Sequence, residues 1–241
     1  MHGPRKLFTL AALAAFSLSA SAAAQQDDPY IDLVDAIAST ERLMSGFADG
    51  AMAVMVEEAR RDPDMREMEE ECPGTFDLMG STSRPLLEKS HERAIGEYKA
   101  KLLTLFSDRL APDTARSAAE FYRSEDGQFL IGLADESESI ENTMAAIRAD
   151  PDGKVSREAF EADKAATRET LTSSEHKGRL QKIGWGLITE RWFSEFTNLR
   201  PEMQQLEYAL LNDDFTPEEE AAFDHVLEKA LTEHFERCYA E

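Results

Sequence analysis

The chain has 241 residues, 42% hydrophobic and 31% charged, with 48 Asp and Glu against 26 Lys and Arg. Its formal charge of −22 repels nucleic acid and anionic lipid, so neither is expected as a partner. The length allows one good-sized domain or two small ones.

Residues 1–24 read as a secretory signal peptide. Arg5 and Lys6 make a basic start, and Leu7 to Leu18 form an apolar core too short to span a bilayer. Ala22-Ala23-Ala24 offers a small-residue cleavage site before Gln25. A retained membrane anchor is the competing reading. Cleavage would remove two basic residues and no acid, leaving 24 basic against 48 acidic residues and a mature charge of −24. No later segment approaches the length of a membrane span. The mature chain is expected in the periplasm or secreted, as a single all-helical domain over 25–241. Its acidic surface gives solubility and would tolerate basic partners or divalent cations.

Pro29 opens the first helical region, in which Ile31, Val34, Ile37 and Ala38 share a face. Leu43, Met44, Phe47, Met52, Met55 and Val56 continue the pattern, with kinks expected at Gly46 and Gly50. The methionines suit either an adaptable groove or ordinary core. Asp62-Pro63 ends the run. Glu67, Glu69, Glu70 and Glu71 then read as a solvated face. Cys72-Pro73-Gly74 reads as a turn, and the segment to Ser83 as a loop with one helical turn near Phe76 to Met79. Pro85 is expected to start a long helix whose stripe is Leu87, His91, Ala94, Ile95, Tyr98, Leu102, Leu105 and Phe106. His91 reads as a satisfied histidine at the core edge or as a base. With Ile95 in the place of a second histidine, His91-Glu92 fails the zinc-protease pattern.

Leu110 to Leu133 reads as helix, tight turn, helix. Pro112 fits the first helical position. Ala115, Ala118 and Ala119 permit close approach to a neighbour, and Phe121 and Tyr122 fill the space beyond. Ser124 can end one helix and cap the next. Gly127 weakens helix propensity, which points to close backbone packing. The run Phe121-Tyr122-Arg123-Ser124-Glu125-Asp126-Gly127 resembles the F-Y-x-S-x-x-G signature of a bacterial family of exported helical proteins, a domain of unknown function. The resemblance covers residues 95–150. Relatives often read Leu-Ser-Pro-Glu-Glu before the first helix and Ser-Pro at the turn. Here Ala111 lacks the capping hydroxyl and Glu125 replaces the proline. The family brings no established activity, so no catalytic residue carries over, and Phe121, Tyr122, Ser124 and Gly127 are structural.

The helix from Gly127 is expected to run through Ile140, Met144 and Ile147. Asp150 to Phe160 resembles half of a calcium loop, but Arg148 and Ala159 stand where the strong ligands belong, and a turn capped by Ser156 serves as well. Residues 157–173 form a polar helix with Phe160, Ala165 and Leu171 as anchors. A helix from Ser174 to about Asn198 puts Trp185, Ile188, Trp192, Phe196 and Leu199 on one face, and Ile183 and Leu187 on another. Core is the default reading of these residues and a tryptophan-lined pocket the alternative, with Gly184 and Gly186 admitting a close helix crossing. Pro201 opens a helix with Met203, Leu206, Leu210 and Leu211. Thr216-Pro217-Glu218-Glu219 spells a capping box for a last helix bearing Phe223, Val226, Leu227, Ala230, Leu231 and Phe235. Leu210 to Pro217 echoes Leu105 to Pro112, as a duplicated helix–loop–helix or as two similar helix starts.

Strand signals are nearly absent, so the fold class is all-α, an irregular bundle of seven to nine helices. There is no nucleophile elbow, phosphate loop, dinucleotide fingerprint or zinc cluster, so no catalytic residue, cofactor or metal ligand is assigned. His234 and Cys238 have metal-like spacing, but two cysteines in an exported chain favour a Cys72–Cys238 disulfide. An intermolecular bridge and two free thiols are the alternatives. The function expected is non-enzymatic binding of a protein partner in the cell envelope. A hydrolase-type enzyme with Glu and His gathered from distant helices, and a carrier of hydrophobic ligands, are the alternatives.

Overall fold

The computed structural model describes residues 28–45, 47–149, 153–173 and 175–240. The signal segment 1–24 with its cleavage point, Gly46, the side chain of Phe47, Asp150 to Asp152 and Ser174 lie outside the described residues. The described residues form helices without strands: α1 (Pro29–Ile37), α2 (Thr40–Met44), α3 (Phe47–Arg61), α4 (Pro63–Glu71), α5 (Thr75–Arg109), α6 (Pro112–Arg123), α7 (Glu125–Glu136), α8 (Glu141–Ala149), α9 (Arg157–Ser173), α10 (Lys177–Ile188), α11 (Arg191–Thr197), α12 (Arg200–Leu211) and α13 (Pro217–Cys238). The expected seven to nine helices are corrected to thirteen among the described residues, because several periodic runs are cut by one or two non-helical residues. The run from Gly127 to Ile147 breaks at 137–140 into α7 and α8. Gly50, in contrast, lies inside an unbroken α3.

The axis of the fold is α5, 35 residues long and so about 50 Å. It begins ten residues before Pro85, through the stretch that reads as loop in sequence. Its start is fixed from outside. Gly74 takes φ +96°, which favours glycine, and the Glu69 carboxylate accepts from the backbone N–H groups of Gly74 (3.0 Å) and Phe76 (2.9 Å). Burial raises the Glu69 pKa, and these backbone hydrogen bonds outweigh it, so the carboxyl stays below its usual value. One member of the acidic run is therefore a cap for the next helix. Pro85 then sits inside α5, where it removes one backbone donor.

The C-terminal half of α5 carries the main core. Tyr98, Leu102, Phe106 and Leu110 pack with Leu33, Val34 and Ala38 from α1 and its cap, and with Ala115, Ala118 and Ala119 of α6. Ile183 and Leu187 of α10, Trp192 and Phe196 of α11, and Leu199 complete it. The small residues of α6 are what let α1 lie close against it. The N-terminal half of α5 is flanked by α3 and α13.

The F-Y-x-S-x-x-G corner closes this core. The Phe121 ring packs tilted against Trp192 with centroids 5.4 Å apart, and Tyr122 likewise against Phe196 at 5.6 Å. Ser124 ends α6 and accepts from Gly127 N at 3.2 Å to cap α7. A Cβ on Gly127 would lie 2.1 Å from Phe121 O and 2.6 Å from Tyr122 Cα. Close packing explains the glycine, and the backbone it meets is the last turn of α6.

Candidate functional site

Three polar constructions tie the helices together. The first surrounds Arg93 on α5. Its guanidinium donates to Glu219 (2.9 Å), Asp213 (2.7 Å), Glu97 (3.0 Å) and the Asp214 carbonyl (2.9 Å). Glu219 also accepts from Thr216 N at 2.9 Å and from Ser90 Oγ at 3.3 Å. The hydrogen bond from Arg93, then that from Thr216, hold the Glu219 pKa down at about 2. The capping box at Thr216 is thus nailed to the central helix.

The second construction is Asp163 on α9, 4% exposed. Its carboxylate accepts from the backbone N–H groups of Asn142 (3.0 Å) and Thr143 (2.7 Å), from Asn142 Nδ2 (2.8 Å) and from Ser139 Oγ (3.2 Å). Burial opposes the charge, and the hydrogen bonds from Asn142 and Thr143 outweigh it, so the pKa falls. Asp163 caps α8 from another helix, favoured by the positive end of its dipole. Nothing local in sequence marks it, since its partners lie about twenty residues away.

The third is the disulfide Cys72–Cys238, with Cα atoms 5.8 Å apart. His234 Nε2 lies 3.5 Å from the Cys72 carbonyl, and Tyr239 donates to Glu71 at 2.8 Å. With its sulfur in the bond, Cys238 is not a thiolate partner for His234. His91, half-buried, has Nε2 3.2 Å from the Leu43 carbonyl, and burial lowers its pKa. Among the described residues no three His, Cys, Asp or Glu side chains converge as a metal site. The expected turn over Gly153 to Phe160 is a clip: Val155, 2% exposed, accepts from Tyr208 and Asn212 on its carbonyl and donates to Asn212 Oδ1. Ser156 caps α9 through Ala159 N.

The concave surface between α5 and α12 is a shallow groove of about 480 Å³, open to solvent, with Thr104, Leu105, Pro201 and Leu206 in its walls. Lys101, Glu202 and Gln205 edge it.

The surface that departs most from the sequence reading is the outer face of α10. A continuous helix to Asn198 would keep Trp185 and Ile188 on the same face as Trp192, Phe196 and Leu199. Instead Thr189 donates its hydroxyl to the Gly186 carbonyl at 2.8 Å, and Glu190 takes an extended backbone with ψ 125°. The direction of the chain changes there. Trp192, Phe196 and Leu199 go into the core, 7%, 6% and 2% exposed, while Trp185 and Ile188 face outward at 73% and 66%. The expected core role of Trp185 and Ile188 is thereby corrected. Ile183 and Leu187 anchor the inner side of α10. The close helix crossing expected at Gly184 and Gly186 is also corrected, because a Cβ at either would meet nothing within 4 Å. Ala165, expected as an anchor of α9, is exposed as well. A signal for the outer face does exist in the sequence: no acid occurs from Lys177 to Thr189.

No family model matches the chain, and no curated protein or solved structure matches it.

Proposed function

We propose that this is an exported protein of the bacterial cell envelope, without chemistry of its own, that works by docking a protein partner on the outer face of α10. The observation that carries the reading is Trp185, 73% exposed one turn from Ile188 on a helix whose other side is anchored in the core. An outward indole on a fixed helix adds little to the fold. It has the character of an interface anchor: large, rigid and amphipathic. The leader-like start and the Cys72–Cys238 bond support an oxidising compartment, where such bonds persist. No helix among the described residues is long and apolar enough to cross a membrane.

The test is site-specific photo-crosslinking in the cells that make the protein. A photoreactive residue at position 188 should give a discrete crosslinked product that Trp185→Ala removes. The same residue at position 226 on α13 should not give that product. Identical products from both positions, or none from 188, would refute the docking reading.

A further inference from the structure

The charge on α10 constrains its partner. Lys177–Ile188 carries Lys177, Arg179 and Lys182 and no acid, alone among the described helices, in a chain of 48 Asp and Glu. Arg179 turns to α7, pairing with Asp126 at 2.9 Å and Glu125 at 3.1 Å and lying 4.0 Å over the Phe129 ring. Lys177 and Lys182 are exposed and have no ion pair among the described residues. Lys182 lies one turn before Trp185, so ammonium, indole and the Ile188 side chain share one side of the helix.

We infer that this face takes an acidic protein segment, one that offers an apolar slot to Trp185 and Ile188 and rims it with Asp or Glu facing Lys182 and Lys177. The inference rests on the docking reading above and adds the chemistry of the partner. The long-range field of a −22 chain disfavours any acidic ligand. At physiological salt that field decays over about 8 Å, so the local lysines govern the contact. An anionic bilayer fits less well. A helix lying in a lipid interface needs a whole apolar face, whereas α10 turns Ile183 and Leu187 into the core and leaves two apolar residues outward. A twofold pair of copies through α10 would set its lysines against each other.

The protein supplies its own probe, since Trp185 is exposed and Trp192, the other tryptophan, is 7% exposed. Tryptophan emission is followed while the full chain is titrated with an amphipathic Leu/Glu peptide, its Leu/Lys counterpart, or phosphatidylglycerol vesicles. Sedimentation of the protein alone follows self-association. The Leu/Glu peptide should shift the emission to the blue saturably, and Trp185→Ala should abolish the shift. Loss of an anchoring tryptophan should weaken binding about thirtyfold in a competition assay. Joint Lys177→Glu and Lys182→Glu should weaken binding about tenfold and reduce its salt dependence. All of these positions are exposed, and unchanged circular dichroism would verify the fold. No saturable shift with Leu/Glu, stronger binding of Leu/Lys, a shift with vesicles, or Trp185-dependent dimers would each overturn the inference. A crosslink from position 188 that persists after such a result would leave docking standing and remove only the acidic chemistry. Loss of both would remove both.

Discussion

The chain turns a similar corner twice. Leu105 to Pro112 closes α5 and opens α6; Leu210 to Pro217 closes α12 and opens α13. Each new helix starts on a proline after a residue in extended backbone. Beyond the corner the two helices are held by different means. After the first, Leu110 is 5% exposed, and α6 buries Thr114, Ala115, Ala118 and Ala119 with no side-chain cap at Ala111. After the second, Phe215 is 39% exposed, and α13 has a full capping box and no buried residue. One helix is held by packing. The other is pinned by Arg93 at its start and by a disulfide at its end. Similar start signals therefore say where a helix begins, and nothing about what keeps it in place.

The sharpest way to break this contrast is to cut the pin at the end of α13. The Cys72–Cys238 bond closes a sequence separation of 166, for which chain entropy gives about 5 kcal/mol as an upper figure. Cys238→Ser, or reduction, should lower stability by several kcal/mol, about half that figure or more. It should also raise amide exchange across Pro217–Cys238 well before Pro112–Arg123. Equal loss of protection in both helices, or none in α13, would show that α13 is held by packing after all.

Much of this architecture was legible beforehand. The 3.6-residue periodicity gave the all-α class, and prolines with Ser124 and Thr216 marked true helix starts. An even cysteine count, in a chain whose first residues read as a leader, points to the pair that is bonded. The misses share a physical cause, since each depends on a group distant in sequence or on a choice between locally equivalent states. Pro85 looks like a helix start because its local chemistry suits one, while the true start depends on Gly74 in a left-handed turn and on Glu69 reaching across it. The outward face of Trp185 follows from one extended residue, Glu190, in a stretch whose periodicity runs on unbroken. Arg93 and Glu219 are 126 residues apart, and Asp163 and Thr143 are 20 apart, beyond the reach of any local pattern.

A smaller effect should come from the start of α13. Glu219 has its pKa depressed from 4.5 to about 2, by the Arg93 hydrogen bond first. A depressed carboxylate adds stability that is fully present above pH 4.5 and is lost as pH falls through the folded value near 2. Glu219→Gln should cost about 1 kcal/mol at neutral pH, because Arg93 keeps Asp213 and Glu97. It should also flatten the acid arm, so that wild type and variant converge between pH 4.5 and 2. Urea midpoints against pH measure this. Curves that stay parallel across that window would mean that Glu219 titrates normally.

The smallest effect tests the corners against each other. Ala111 has φ −67° and ψ 149°, and Thr216 has φ −67° and ψ 157°, so the two N-cap backbones are nearly superposable. A hydroxyl at 111 would meet the N–H of Thr114 as the Thr216 hydroxyl meets that of Glu219 at 3.2 Å. Ala111 is exposed, so the added oxygen displaces nothing. Ala111→Ser should therefore stabilise by about 0.5–1 kcal/mol, and Thr216→Ala should cost about 1 kcal/mol. For a chain of this size each kcal/mol moves the melting midpoint by about 2–4 °C. The two changes should differ in kind as well as sign. At α6 the cap adds to a helix that opens only when the core opens, so the gain should appear in the global melt. At α13 the loss should appear as faster local exchange near Pro217, since no buried residue couples that turn to the core. A global shift from Thr216→Ala as large as that from Ala111→Ser, with no local change, would mean that α13 unfolds only with the rest of the bundle.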